Sequence, residues 1–296
     1  MFVDAIVTAS KFTRPIYTIK RFFGTTQVFP SAATLFFINS DGWALTCRHV
    51  AKQFIFSDQV AKLYHDFKEE RKVLSSKNRR QHERALERKY KFGKGTLAEL
   101  KNLVFDCIEG PLNLKYYLHP ELDVALLKFS GFHTLCVTGY PIFASGETEL
   151  KQGRFLCRLG YPFAEFSNFA YDSSTDSIDW KKQGKGVTPR FPIEGMVTRL
   201  LLGSMGGITG FEMSTPGLRG QSGGPAFDAQ GHVWGMQSAT NHLDLDFDVE
   251  MEVIREGQRK YIKNQAILHV GHCIHVDVLK DFMRKQNVAF NEAEST

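Results

Sequence analysis

No stretch of this sequence approaches the roughly 20 uninterrupted apolar residues that a membrane-spanning helix needs, which argues against a transmembrane protein. The first residues, MFVDAIVTASKFTRPIYTIKRFF, lack a basic start followed by an apolar block. Asp4 comes early and Lys11 and Arg14 interrupt, so no secretion signal is read there. Cysteine is scarce and scattered: Cys47, Cys107, Cys136, Cys157 and Cys273 are odd in number and form no CxxC pair. That is the pattern of free thiols in a reducing compartment, and the expected location is cytoplasmic. There is no repeat of fixed period and no low-complexity segment. Neither sign of charge dominates: the net charge of +5 does not by itself argue for a nucleic-acid partner. With 43% hydrophobic residues, disorder is excluded for most of the chain. A length of 296 residues suits one large domain or two modest ones, with room for a sizeable core.

What is present is a series of short apolar runs punctuated by glycine and proline. In AATLFFINSDGWALTCRHV, two such runs flank Asn39, Ser40, Asp41 and Gly42, which predicts a hairpin with His49 just after its second strand. Further strand-like runs cover 123–129, 153–159, 195–202, 210–213, 225–227, 232–238 and 266–274. This pattern predicts an all-β fold, as a sandwich or as barrels. Two segments break it. From residue 59 to about 94, Val60, Leu63, Tyr64 and Phe67 recur at helical spacing with almost no glycine or proline. Between Lys62 and Lys101 there are 13 Lys and Arg against 6 Asp and Glu, a net of +7. The whole basic excess of the chain therefore lies in one helical insertion. The other break is VDVLKDFMRK at 276–285, which reads as a short closing helix before a flexible tail.

The strongest chemical signal is GLRGQSGGP at 217–225. Glycines on both sides of a serine permit a tight turn that can aim the amides of Gly220 and Ser222 at one point, as a tetrahedral acyl intermediate requires. A serine hydroxyl is a poor nucleophile without a base, and LTCRHVA offers His49. The imidazole needs an orienting acid. Asp123 heads the apolar strand DVALLKF, whereas the neighbouring carboxylates Asp106 and Glu121 do not.

The order His49, Asp123, Ser222, together with LTCRHVA, LDVALLKF and GQSGGPAFDAQGHVWGMQSA, resembles the three signature regions of the trypsin-like serine peptidases. The flavour is that of the bacterial HtrA type. The closing text ILHVGHCIHVDVLKDFM is similar as well, and the resemblance covers about 34–283, interrupted by the basic insertion. It implies two six-stranded antiparallel β-barrels with the catalytic site between them. The expected limits are an N-terminal barrel at about 25–145 with the helical insertion at about 59–101, a C-terminal barrel at about 150–275, a closing helix at 276–285 and a flexible tail at 288–296. It implies His49 as general base, Asp123 as its orienting acid, Ser222 as nucleophile, and Gly220 and Ser222 as oxyanion-hole donors. It also implies that Gln237, Ser238, Ala239 and Thr240 pair with the substrate backbone. Pro216 would stand at the base of the specificity pocket, and His272 beside it. Gln221 replaces the aspartate that digestive-type relatives pair with a freed N-terminus, so that activation switch is not expected. No PDZ-like extension is expected after the core.

These features predict a cytoplasmic serine endopeptidase acting on protein or peptide substrates without a cofactor or metal, and an effector gated by a partner or by a stress or defence signal. A catalytically silent scaffold of the same fold and a nucleic-acid-associated protease are the alternatives. The basic segment reads as a solvated helical insertion, as a dock for an activating protein, or, least favoured, as a nucleic-acid contact. Asp244, Asp246, Asp248, Glu250, Glu252 and Glu256 crowd what reads as a solvated acidic loop; a preference for basic substrates is the sharper alternative. His269, Cys273 and His275 would share one face of a strand, but are read as part of an ordinary strand rather than a zinc site. Cys47 is read as a small core residue, as are Trp234 and Met236.

Overall fold

The computed structural model describes residues 1–74, 78–204, 206–255 and 257–294. Residues 75–77 of the basic segment, Glu256 of the acidic run and the last two residues of the tail lie outside them. A short helix α1 (Val3–Ser10) leads into β1 (Thr13–Phe22), β2 (Val28–Phe37) and β3 (Trp43–Thr46). Helices α2 (Arg48–Lys72) and α3 (Arg79–Tyr90) follow. The first half ends with β4 (Leu97–Val104), β5 (Ile108–Glu109), β6 (Asn113–Leu118), β7 (Ala125–Ser130) and β8 (Thr134–Leu135). The second half holds β9 (Ile142–Phe143), β10 (Phe155–Gly160), β11 (Phe169–Asp172), β12 (Ser177–Trp180), β13 (Phe191–Leu202) and β14 (Ile208–Met213). Then come β15 (Pro225–Phe227), β16 (His232–Arg255), β17 (Gln258–His275), α4 (Val276–Lys285) and β18 (Asn291–Glu292).

The fold is all-β, built from two six-stranded units. The N-terminal sheet runs β4-β1-β2-β3-β7-β6, with antiparallel neighbours throughout. The second unit closes on itself: β15-β10-β13-β14-β17-β16 returns to β15. One continuous core fills both, with Phe36, Phe37, Leu45 and Phe129 from the first and Leu159, Phe211, Phe227 and Met236 from the second. No described helix is long and apolar enough to cross a membrane.

Several expected boundaries shift. The N-terminal barrel begins at Thr13, not near residue 25, because β1 supplies two of its pairings. The helical insertion starts at Arg48 instead of about 59, because nothing between His49 and Lys72 breaks a helix. It ends before Leu97, where β4 re-enters the sheet. Helix α2 spans from β4 to β6 and β7, covering the two edges that backbone pairing leaves apart. Its Tyr64 and Phe67 pack with Leu86 of α3 and with Phe92. The tail is docked rather than flexible: Val288 is buried, β18 pairs with β9, and Glu292 binds Lys280. The acidic run is no loop but one arm of the long β16–β17 hairpin. Three of its carboxylates, Asp248, Glu250 and Glu252, pair with Lys263 and Arg259 across the strands.

One buried ion pair ties the insertion to the barrel. Arg21 and Glu99 meet at 2.6 Å on adjacent strands, and Arg21 also donates to the Tyr64 hydroxyl of α2 at 2.9 Å. Glu99 accepts in addition from the Ser177 hydroxyl and the Ile178 amide. Without Glu99, the buried Arg21 keeps only the part-exposed Asp176, at 3.2 Å, as a counterion, so Glu99→Ala is expected to cost about 3 kcal/mol in urea unfolding. A double Glu99→Leu, Arg21→Met exchange should recover most of that loss. A loss in the double exchange equal to that in the single would show that packing, not the stranded charge, carries the effect.

Candidate active site

The residues singled out in the sequence converge where the two barrels meet. Cys47 stands just before α2 and makes no capping bond of its own, which places His49 in the first turn, where backbone amides lack helical partners. Asp123, just before β7, supplies the acceptor. Its Oδ1 takes the His49 amide at 2.9 Å and its Oδ2 faces His49 Nδ1 at 2.8 Å. One carboxylate thus caps the helix and orients the ring that the helix carries. Ser238 donates its hydroxyl to the same Oδ2 at 2.6 Å. Burial pushes the Asp123 carboxyl up, but the hydrogen bonds from the His49 ring, Ser238 and the His49 amide outweigh it and bring the pKa down to about 2. Asp106 and Glu121 take no part.

Ser222 lies across the cleft. Its Oγ donates to the Ser238 carbonyl at 3.1 Å, and no direct His49–Ser222 hydrogen bond is present among the described residues. Ser238 therefore holds both ends, the acid through its hydroxyl and the nucleophile through its carbonyl. Such bonds commonly tighten only when substrate arrives. Neither the Gly220 nor the Ser222 amide has a partner among the described residues, while their neighbours are engaged: Gln221 N bonds Leu218 O and Gly223 N bonds Gln237 O. Two free amides beside a serine are what an oxyanion needs.

Sequence reasoning missed two residues that hold this turn. Thr34 of β2 donates its hydroxyl to Gly220 O at 2.7 Å and its amide to Ser222 O at 3.0 Å, so the first barrel grips the turn of the second. Gln221, read only as a departure, is fully buried. Its Oε1 accepts from Leu218 N and its Nε2 donates to Phe191 O, both at 3.1 Å. A neutral bracket stands where a charged switch was ruled out. No local signal marks Thr34, whose partner Gly220 lies 186 residues away.

Of the other expected residues, Ala239 pairs with His272 between β16 and β17, and Thr240 donates to Gly217 O at 2.6 Å. Pro216 and Gln237 both contact the buried Arg158. Burial lowers the His272 pKa. Cys47, His49 and Asp123 are close enough together to surround an ion. However, the ring and the carboxylate are engaged with each other, and burial raises the Cys47 thiol well above its ordinary pKa while it donates to Gln237 O. Cys273 and His275 are buried in the barrel, where His275 caps α4 by accepting from Asp277 N, whereas His269 lies on the exposed hairpin against His242.

Residues 33–236 match the trypsin-like peptidase domain family, and the chain belongs to it. No curated protein matches the sequence. Among solved structures, the HtrA-type protease AlgW with a tripeptide is similar at 14% identity and a TM-score of 0.49, over 96% of this chain. This chain covers 63% of that one. The active form of the Rv3671c protease from M. tuberculosis is similar at 13% identity and a TM-score of 0.47, over 98% of this chain and 87% of that one.

Proposed function

We propose that this chain is a serine endopeptidase that works through an acyl-enzyme. Ser222 attacks the scissile carbonyl as His49 takes its proton. Asp123 holds the imidazole in the tautomer that accepts at Nε2 and stabilises the imidazolium. The Gly220 and Ser222 amides receive the oxyanion, His49 returns the proton to the leaving amine, and water repeats the sequence to release the acid. The observation that carries this reading is the junction at Ser238, which holds the His49-bound Asp123 at 2.6 Å and the Ser222 hydroxyl at 3.1 Å. Past Met236, β15 no longer pairs with β16; the Gln237 amide and carbonyl are already bonded to Gly224 O and Gly223 N, so of the expected stretch 237–240 only 238–240 is left to take an added substrate strand.

Gating by a partner fits a route through α2. Helix α2 is continuous with the turn that carries His49 and packs against α3, so a protein docked on the two would act on the base. The nucleophile turn, braced by Gln221 and Thr34, supports no such role. All five cysteines are free, which supports a reducing, cytoplasmic setting for such an effector.

Fluorophosphonate labelling tests the reading. The purified wild type is expected to label and Ser222→Ala is not, with lysate increasing the rate if a partner engages the helices. Absence of labelling in both the isolated protein and lysate would favour a silent scaffold.

A further inference from the structure

We infer that the free edge of β16 from Ser238 to Asp244 receives the chain on the N-terminal side of the scissile bond as an added antiparallel strand, which it reads through the main chain and no further than Asp244. This rests on the endopeptidase reading and names its substrate class, an extended segment of unfolded polypeptide.

On one side β16 pairs with β17 in an unbroken register: Thr240↔Gly271, Asn241↔Val270, His242↔His269, Leu243↔Leu268 and Asp244↔Ile267. On the other side its pairing with β15 stops at Met236. Gly271 shows which backbone groups face that open side. Its amide donates to Thr215 O at 2.8 Å, away from β16. Thr240 opposite it is therefore in a non-hydrogen-bonded pair, and its own amide and carbonyl point away from β17. Alternation gives His242 and Asp244 the same direction. The rings agree, because side chains approach more closely in such pairs and His242 Nδ1 lies 2.5 Å from His269 Nδ1. None of these three amides and three carbonyls has a partner among the described residues. His242 and Asp244 are exposed, and Thr240 is half-buried.

The nucleophile fixes the occupant. At the inner end of the edge, Ser238 falls outside the β17 register and its carbonyl accepts the Ser222 hydroxyl at 3.1 Å. A strand laid on this edge therefore runs to Ser222. Because β16 leads outward from that point, an antiparallel strand brings its C-terminal end to the nucleophile and its N-terminal end to Asp244. Antiparallel pairing matches the β16–β17 ladder and is the more stable kind. The outer limit is also built in. Past Asp244 the register slips, with Asp248 opposite Gln265, and Asp246 sits at φ +57°. Extra residues of this kind disrupt a ladder and bar further strand addition. The edge thus offers rungs at Thr240, His242 and Asp244 and then ends. A two-stranded ribbon is marginal in water, and a third strand supplies what it lacks. Since the rungs are main-chain groups, they select an extended chain rather than a particular sequence.

The test uses fluorescein-labelled peptides in two unrelated sequences, with three, seven or eleven residues before the cleaved bond. Their binding to Ser222→Ala is measured by fluorescence anisotropy. With the residue beside the bond opposite Ser238, the seventh lies opposite Asp244. Kd should fall about tenfold from three residues to seven, as the His242 and Asp244 rungs form, and stay level from seven to eleven. Four residues added on the C-terminal side should give no such gain. N-methylation of the fifth residue before the bond, opposite His242, should abolish most of the gain without any change to the protein. His242→Pro removes an amide that β17 does not use and should bring the ratio of the two Kd values toward one. A gain that survives N-methylation, continues to eleven residues or appears equally on the C-terminal side would overturn the inference. So would a dimer of the free protein that dissociates in His242→Pro, because a second copy would then hold the edge. Binding is read on a variant without the nucleophile, so absence of turnover in wild type would sink the endopeptidase reading and leave the edge result standing.

Discussion

Asp123→Asn is expected to fold, to label slowly with fluorophosphonate, and to lose roughly 10⁴-fold in kcat with little change in KM. The carboxylate accepts three hydrogen bonds, from the His49 amide, His49 Nδ1 and the Ser238 hydroxyl. An amide keeps one oxygen and turns an NH₂ group toward at least one of these donors. The imidazole would then present the wrong tautomer to Ser222, and Ser238 would lose the anchor through which it holds both residues. The same bonds make a pH prediction. Asp123 has an ordinary value of 3.8 and a folded pKa of about 2, so its contribution is complete above pH 4 and is lost as pH falls through 2. At neutral pH it amounts to about 2 kcal/mol. The stability gap between wild type and Asp123→Asn, followed by thermal unfolding, should narrow between pH 4 and pH 2. A gap that stays constant over that window would mean that the carboxylate is not held as an anion by these donors.

What could be read from the sequence is what is written locally. GQSGGP, LTCRHVA and LDVALLKF each carry their chemistry within a few residues, and the Asn39–Gly42 turn carries its own φ-positive glycine. The features that escaped are held by distant partners. Strand β1 contains Pro15, Lys20 and Arg21 and does not look like a buried strand. Arg21 is buried because Glu99, 78 residues on, accepts from it. The run GRFLCRLG shows an arginine in a strand, but its meaning depends on Thr215 and Gln237, 57 and 79 residues away. In the acidic run, carboxylates and apolar residues alternate with the period of a strand, and charge density concealed that period. The start of α2 was obscured for a related reason: the hairpin signal before His49 was strong, and a helix needs only the absence of a breaker to begin immediately after it.

Gly223→Ala should have the second large effect, on stability and labelling together. Gly223 has φ +88°, a conformation that side chains with a Cβ resist, and a Cβ there would overlap the Thr34 carbonyl oxygen and the Thr46 hydroxyl. Neither neighbour can yield freely. Thr34 O accepts the Thr46 hydroxyl at 2.7 Å, and Thr34 grips the nucleophile turn through Ser222 O and Gly220 O. Relief of the overlap must therefore part the two barrels at the point that aligns the oxyanion donors. The expected cost is about 3–5 kcal/mol in unfolding, combining backbone strain with overpacking. A displacement of the turn by about 1 Å should slow labelling by roughly 10². Gly153→Ala separates the two contributions. It has φ +89° but open space around the added carbon, so it carries the backbone strain alone, about 1 kcal/mol, and leaves labelling unchanged. Equal losses at the two positions would show that φ, and not the contact between barrels, sets the requirement for glycine beside the nucleophile.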